Sequence, residues 1–226
     1  MASGIYQVGI IAGSQRQIQA GSQITDWVQG IIQNHLGNSN NIKVRRINIK
    51  DLGLPIYDEP YPPAQITDSD QYTKDTTKAW SKIVAPLDAF VVVTPEYNFN
   101  VPAGLKNAID LLYFEWTKKP FFIISYGSMG GTFSYENLKR SLSLAIKAQV
   151  VEGGVNLAFG PAENGIIPKA VAGQDLGLSL TEDGSLWADK REGIRKGWDE
   201  LSASSQLHAV PIVTNRLGKK NLALES

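Results

Sequence analysis

The chain has 226 residues, and its 22 basic and 22 acidic side chains give a formal net charge of zero at pH 7. That length suits one domain, and a neutral surface gives no general attraction to nucleic acid or to an anionic membrane. There is no cysteine, and the two histidines, His35 and His208, lie far apart in the sequence, which excludes disulfides, thiolate nucleophiles and a histidine metal cluster within one chain. With neither an export signal nor a long apolar run, we expect a cytoplasmic protein with no membrane and no nucleic-acid partner.

The first predicted unit is a strand, a turn and a helix. Residues 5–11 are mostly apolar, and a small-residue turn ending in an arginine, Gly13-Ser14-Gln15-Arg16, follows shortly after them. Helical spacing then begins near Ile24, with Ser22 as the expected cap and Gly37 as the expected end. Hydroxyls, free N–H groups and an arginine at a helix N-terminus can bind an anion, although Gly-Ser turns are also common connections. Because the turn lacks the P-loop lysine pattern and the G-x-G-x-x-G fingerprint, a phosphate monoester fits it better than a triphosphate or dinucleotide.

A second strand and a long loop come next. Apolar and charged residues alternate over residues 42–49, which predicts a strand near an edge of the sheet. Four prolines between Pro55 and Pro63 then rule out regular structure, and a loop of this length inside a domain is more often functional or interfacial than idle. Within it, we interpret the adjacent Asp58 and Glu59 as solvated charges.

The central strand leads into an unusual loop. A helix predicted over residues 70–84 precedes the apolar, β-branched run at residues 89–93, which is typical of a strand buried on both faces. Glu96, Tyr97 and Asn98 follow, and they bring a charge, an amphipathic ring and an amide together before a helix that starts at Pro102. This composition indicates a binding loop, although a decorated connection would look similar.

A third loop follows the predicted strand at residues 121–126. Three glycines within residues 127–131 would let the backbone approach a flat ligand, whereas a flexible turn would not need so many. A fifth strand is predicted at residues 154–158, and the spacing of Trp187, Ile194, Trp198 and Leu201 predicts a last amphipathic helix.

Strands and helices therefore alternate along the chain, which predicts an α/β fold with a doubly wound parallel sheet. We expect one domain over residues 1–205 and a C-terminal extension, residues 206–226, that is loosely ordered or engaged at a subunit interface. The three loops meet at the carboxyl edge of strands one, three and four, where such sheets bind ligands. A flat phosphorylated heterocycle suits them, and flavin mononucleotide (FMN) suits the flavodoxin-like strand order 2-1-3-4-5 of a five-stranded sheet.

Three motifs carry a family resemblance. G-S-Q-R at residues 13–16, P-E-Y-N at 95–98 with L-K-N-A-I-D at 105–110, and Y-G-S-M-G-G at 126–131 resemble the NADPH-dependent FMN reductase family of flavin, quinone, azo and chromate reductases. The resemblance covers about residues 5–160. Ala103 departs from the glycine of many members and suggests a fungal-type subgroup, and residues 17–21 lack the serine often found three positions beyond the arginine.

The resemblance implies a set of FMN-binding residues and a reaction scheme. Ser14, Arg16 and Gln23 would hold the phosphate. The isoalloxazine would be lined by Pro95, Glu96, Tyr97 and Asn98, and closed at its other edge by Gly127, Ser128, Met129 and Gly130. In the family's ping-pong scheme NADPH or NADH reduces FMN and leaves, and a small electron acceptor then takes its place, which requires no catalytic side chain and no metal.

Other functions remain open at the sequence level. Bound FMN could serve a redox sensor that controls an interaction, or an electron carrier, although carriers are usually acidic. The resemblance also implies a homodimer or a dimer of dimers, with Tyr113, Phe114 and Trp116 among the contact residues unless those aromatics simply cover the sheet. The physiological acceptor, whether quinone, flavin, azo compound or metal oxyanion, does not follow from the sequence.

Overall fold

The computed structural model describes residues 5–37 and 41–206. Its strands are β1 (Tyr6–Ala12), β2 (Ile42–Asn48), β3 (Ala89–Pro95), β4 (Pro120–Gly127), β5 (Gln149–Val150) and β6 (Val155–Ala158). Its α-helices are α1 (Gly21–Leu36), α2 (Asp75–Val84), α3 (Ala103–Asp110), α4 (Thr132–Arg140), α5 (Ile166–Val171) and α6 (Arg191–Gln206). The predicted extension from residue 207 onward lies outside the described residues.

All strand pairs are parallel, and the sheet order is β2-β1-β3-β4-β5. β6 also pairs with β4, further along the same strand, and it lies where the fifth strand was predicted, whereas β5 is an additional short piece before it. The interruption contains Gly154, where a Cβ atom would run into the ring of Tyr135. The flavodoxin-like order 2-1-3-4-5 is confirmed, and the fifth strand consists of two pieces.

The sheet separates two apolar cores. One contains Trp27 of α1 and Ile194 and Trp198 of α6, and the other contains Trp80 of α2 and Leu105 of α3. Every residue of β3 is buried, because helices cover both faces of this central strand. This arrangement leaves the carboxyl edge of the sheet for the loops that follow each strand.

Several helix boundaries differ from the predictions. α1 begins at Gly21, so Ser22 lies inside its first turn and does not cap it. α2 begins at Asp75, after a separate turn at Ser69–Gln71. Trp187 precedes α6 with a left-handed φ of 60°. At α2 and α6 the apolar spacing extends beyond the segment in which the backbone is helical, whereas α1 begins before its first spaced apolar residue, Ile24.

The proline loop is fastened to the central α3 helix. Asn107 accepts a hydrogen bond from the Tyr57 backbone N–H (2.9 Å) and donates one to the carbonyl of Pro55 (2.8 Å). Glu59 of this loop is buried and accepts hydrogen bonds from the backbone N–H of Thr73 and Lys74 at the start of α2. The interpretation of Glu59 as a solvated charge was therefore wrong.

Trp116 also differs from its predicted role. Its ring is fully buried and lies 4.9 Å from the ring of Phe90 and 5.8 Å from that of Trp80, so it covers the sheet and is not available to a second chain. Phe114 is 44% exposed. Within residues 5–37 and 41–206, no helix combines the length and apolar character needed to cross a membrane.

Candidate functional site

An open cavity lies at the carboxyl edge of the sheet. The loops after β1, β3 and β4 all contribute to it, as the sequence predicted. The predicted residues that line it are Ser14, Arg16, Pro95, Glu96, Tyr97, Gly127 and Ser128.

Tyr97 joins the first two loops. Its phenol oxygen lies 2.7 Å from the buried Ser14 hydroxyl, and the Arg16 guanidinium carbon lies 4.0 Å from the centre of its ring. A cation over an aromatic face is held by the ring's negative π surface, so Tyr97 holds Arg16 at the mouth of the cavity. Residues more than 80 positions apart thus form one polar cluster.

This cluster lies beside the N-terminus of α1. A Cβ atom on Gly21, the first residue of the helix, would collide with the Tyr126 hydroxyl and lie 2.7 Å from the Gln19 Oε1 atom. That Gln19 oxygen is buried and has no hydrogen-bond partner among the described residues, and Gln19 lines the cavity. Glycine is therefore required where the helix, a tyrosine and an unpaired amide approach one another.

Tyr126 stands at the floor of the cavity. Burial raises the pKa of its phenol well above the usual range, and the nearby Tyr97 raises it further, while Ser14 and Arg16 oppose the shift. The hydroxyl therefore stays protonated at neutral pH and can donate a hydrogen bond within the cavity.

The loop after β3 makes a tight turn. Tyr97 and Asn100 exchange two backbone hydrogen bonds of 3.0 Å, and the intervening Asn98 and Phe99 have φ angles of 52° and 58°. Positive φ at both central residues is the signature of a type I′ turn, and it is uncommon for phenylalanine. Asn98 is exposed on this turn and does not line the cavity, so its predicted contact with a ring system stays a prediction.

Glu96 connects the second and third loops. Its carboxylate accepts hydrogen bonds from the backbone N–H groups of Phe133 (2.8 Å) and Ser134 (3.2 Å), in the first turn of α4. Its own N–H donates to the Tyr126 carbonyl at 3.0 Å. Ser134 lies inside the helix, and the capping carboxylate comes from a residue nearly 40 positions earlier.

The glycine loop after β4 is set by a buried network. Gly130 and Gly131 have φ angles of 84° and 72°, and the Gly130 carbonyl accepts a hydrogen bond of 2.8 Å from the Ser125 hydroxyl. The Gly130 N–H donates to the Gly127 carbonyl, so it closes a turn and is not free for a ligand. Met129 is 61% exposed, and neither Met129 nor Gly130 lines the cavity.

Gln23 has a different set of contacts from the one predicted. Its amide donates to the Gln174 carbonyl (2.8 Å) and accepts from the Leu176 N–H (3.0 Å), so it fastens the segment after α5 to α1. It does not line the cavity, whereas Gln19 does. Its proposed phosphate contact stays a prediction.

Sequence reasoning missed one side of the cavity. This side consists of apolar residues from the first loop, from the end of β6 and from α5. They are Ile18, Phe159, Ile167, Ala170 and Val171. No motif or spacing marks them, because α5 reaches the cavity only through the path of the chain after β6.

Comparisons with known proteins identify the family. The family model described as NADPH-dependent FMN reductase matches residues 6–162, so the chain belongs to this family of oxidoreductases. Over 204 residues the chain is 36% identical to the NAD(P)H-dependent FMN reductase ntnL of a Nectria species, covering 86% of this chain and 94% of the relative. Over 169 residues it is 38% identical to the NAD(P)H-dependent FMN reductase LOT6 of Saccharomyces cerevisiae, covering 72% and 88% respectively. The chain is thus a fungal-type member.

A solved structure described as an oxidoreductase from Corynebacterium diphtheriae shares the fold. It superposes with a TM-score of 0.61 at 14% identity and covers 91% of this chain and 99% of its own. At that identity the likeness supports the flavodoxin-like fold alone.

Proposed function

We propose that the chain is an FMN-dependent NAD(P)H oxidoreductase that passes electrons to a quinone, flavin, azo compound or similar acceptor by a ping-pong route. The observation that carries this proposal is the convergence of Ser14, Arg16 and Tyr97 beside the N-terminus of α1, in a cavity that the three family motifs line. Family membership supplies the oxidoreductase class.

The donor set of the cavity fits FMN. The Ser14 hydroxyl and the N–H groups at the N-terminus of α1 can donate hydrogen bonds to a phosphate, and the Arg16 guanidinium supplies a positive charge beside them. The buried Gln19 oxygen lacks a partner among the described residues, and a hydroxyl of the ribityl chain would supply the missing donor. Pro95, Tyr97 and Gly127 give a ring system apolar contact and close backbone approach.

The chemistry that FMN would supply when bound is transfer of a hydride equivalent, two electrons and a proton, from NAD(P)H to the second substrate. The protein's own residues then have positioning roles. Tyr97 and Arg16 hold each other at the anion end, and Glu96 fixes the loop after β3 against α4. Tyr126 stays a neutral donor because its pKa is raised. None of these roles requires a side chain that gains or loses a proton during turnover.

The test is the visible spectrum of the purified protein, with FMN added if it is colourless, before and after anaerobic NADPH. A flavin band that bleaches quickly and returns on addition of a quinone would support the reductase. A bound flavin that NADPH reduces only slowly would favour the sensor or the electron carrier instead. Failure to bind FMN would overturn the site assignment.

We also propose that the protein is a homodimer or a dimer of dimers, as the family resemblance implies. Of the three aromatic residues that the resemblance implies as subunit contacts, Trp116 lies in the core. Tyr113 and Phe114 are partly exposed and remain the candidate contacts. Sedimentation of the FMN-bound protein should give a two- or four-chain species. A monomer at micromolar concentration would refute this assignment.

A further inference from the structure

The apolar side of the cavity has no counterpart in the three family motifs. Ile167, Ala170 and Val171 belong to α5, beyond residue 162 where the family match ends. They line the same cavity as Ser14 and Arg16. These three residues, Ile167, Ala170 and Val171, form the α5 wall of the cavity.

The α5 wall is fastened beside the anion end of the cavity. The Gln23 amide holds the backbone of Gln174 and Leu176 against α1 through two hydrogen bonds. A Cβ atom on Gly173, which has a φ of 65°, would lie 3.0 Å from a methyl group of Ile18. The end of α5 therefore packs on the first loop, close to the residues proposed to hold the phosphate.

Further contacts fix the segment on either side of the wall. The Trp27 indole donates to the Ser179 carbonyl (2.8 Å), and the Trp187 indole donates to the Ala158 carbonyl (2.6 Å). Trp187 stacks on Phe159, which also lines the cavity, with 5.6 Å between ring centres. These contacts anchor the chain before and after α5.

The chemistry of this boundary discriminates between flavins. Arg16 is the one cation among the described lining residues, so the cavity offers positive charge to a single phosphate. The lining residues offer a second phosphate no second cation, and an unpaired charge against the aliphatic side chains of the α5 wall is costly.

We infer that the α5 wall selects flavin monophosphate against flavin adenine dinucleotide (FAD) by lining the phosphate end of the cavity with aliphatic side chains and no second cation. This inference rests on the proposed function, since it assumes that the cavity binds a flavin through Ser14 and Arg16. It assigns a specificity role to residues outside the family motifs.

The experiment titrates the full chain, freed of flavin, with FMN and with FAD separately, and follows the quenching of flavin fluorescence. Wild type should prefer FMN by about 100-fold, and the Ile167→Ala/Val171→Ala variant should lower that preference by about tenfold or more through tighter FAD binding. Leu144→Ala, at a side chain that is 73% exposed and does not line the cavity, is the control and should keep the wild-type preference.

A second variant tests the charge argument without removing buried packing. Val171 is 65% exposed, so Val171→Lys should fold and place a cation at the rim of the wall. It should strengthen FAD binding more than FMN binding, and added salt should weaken that gain. Thermal unfolding monitors whether each variant is folded.

The possible failures are distinct. If wild type binds neither flavin, the proposed function fails together with this inference. If wild type binds FAD as tightly as FMN, or if both wall variants leave the FMN preference unchanged, only the selection by the wall is refuted. A preference that falls through loss of FMN affinity alone would also refute it, because the wall would then support FMN binding and not exclude FAD.

Discussion

Tyr97 is the residue on which the two polar loops of the site depend. Its phenol bonds Ser14 and its ring supports Arg16, while the turn formed by Asn98 and Phe99 sets its direction. Arg16 is exposed, so its position is set more by contact with the Tyr97 ring than by burial. The guanidinium is thus held near its working position before any ligand binds, which lowers the entropic cost of binding.

At this scale we predict that Arg16→Ala weakens FMN binding by about 1.5–3 kcal/mol, the usual range for a hydrogen bond to a charged group. Fluorescence titration of the flavin-free protein measures the change. Arg45→Ala, an exposed arginine of β2 that does not line the cavity, should leave the FMN affinity unchanged. Unchanged FMN retention in Arg16→Ala would remove this residue from the site.

At the scale of elements, two helices are capped by carboxylates from distant loops. Glu59 accepts hydrogen bonds from the backbone N–H groups of Thr73 and Lys74, the two residues just before α2, and Glu96 accepts from the first turn of α4. Unpaired N–H groups and the helix dipole both favour a negative charge at these places. Each contact also fixes a loop, so the caps link the position of a helix to the shape of the carboxyl edge.

We predict that Glu59→Ala lowers the free energy of unfolding by about 1–2 kcal/mol, the scale of a lost helix cap. The neighbouring Asp58→Ala should cost less than about 0.5 kcal/mol, because its ion pair with Lys74 is solvent-exposed. Urea denaturation at pH 7 measures both. Equal losses in the two variants would contradict the capping role of Glu59.

The capping contribution should depend on pH. Burial alone would raise the pKa of Glu59, but its hydrogen bonds from Thr73 and Lys74 prevail and hold that pKa below its ordinary value. The stabilisation is therefore present above the unfolded pKa of about 4.3 and is lost as the pH falls through the lower pKa of the folded state. The difference between wild type and Glu59→Ala should shrink in acid.

Helix α6 packs on the sheet through a glycine. A Cβ atom on Gly197 would collide with the ring of the fully buried Phe122, whereas one on Gly193 would lie 3.4 Å from a Val155 methyl group, an ordinary contact. The helix therefore lies close to β4 at Gly197.

We predict opposite effects from the same substitution at these two positions. Gly193→Ala should raise the free energy of unfolding by about 0.5–1 kcal/mol through helix propensity. Gly197→Ala should lower it by about 1–3 kcal/mol, because overpacking outweighs that gain. Urea denaturation measures the free energy of unfolding of both variants. A stabilised Gly197→Ala variant would show that α6 can shift away from the sheet without cost.

At the scale of the whole molecule, Lys119 ties the start of β4 to the end of α2. Its ammonium group donates to the carbonyls of Val84 (3.3 Å) and Ala85 (3.0 Å). Burial lowers the pKa of Lys119 to about 8, although Asp88 and Glu115 oppose the shift. The charged form is thus disfavoured in the folded protein relative to the unfolded chain.

This shift predicts a pH dependence of stability. Between about pH 8 and the unfolded pKa of 10.5, the unfolded chain binds more protons at this position, so the Lys119 contribution makes stability rise with pH. Lys119→Met should remove that rise, and Lys118→Met, at the exposed neighbouring side chain, should keep it. Urea denaturation between pH 7.5 and 10.5 tests this, and identical slopes in wild type and Lys119→Met would contradict it.

The sequence predicted the parts of the fold that depend on local composition. The unbroken apolar run of β3 identified a strand buried on both faces, and residues 121–126 were correctly expected to form the strand β4. Gly37, with its φ of 56°, was correctly expected to end α1. The alternation of strands and helices then left few topologies, because parallel crossovers have one preferred hand. The meeting of the three loops at one edge followed from this, whereas the strand order came from the flavodoxin-like pattern that suits an FMN site.

The predictions failed where contacts join distant positions. The caps on α2 and α4 come from Glu59 and Glu96, which no local pattern associates with those helices. Three further features likewise depend on where the chain runs after β6. They are the α5 wall, the unpaired Gln19 oxygen and the hydrogen bond from the Gln23 amide to the Gln174 carbonyl. Periodicity reports which face of an element is apolar, but side-chain partners across the fold are decided only by packing.

By itself the sequence determined the fold class, the family and the loops that carry the site, because strands, turns and motifs are local properties of the chain. The tertiary structure decided which of those loop residues meet. It brings Ser14, Arg16 and Tyr97 into one cluster and leaves Asn98 and Met129 exposed, outside the cavity lining. It also lines the cavity with the α5 wall, which no motif contains. The physical reason is that a cavity is bounded by side chains from elements far apart in the chain, and their distances are set only when both cores pack against the sheet.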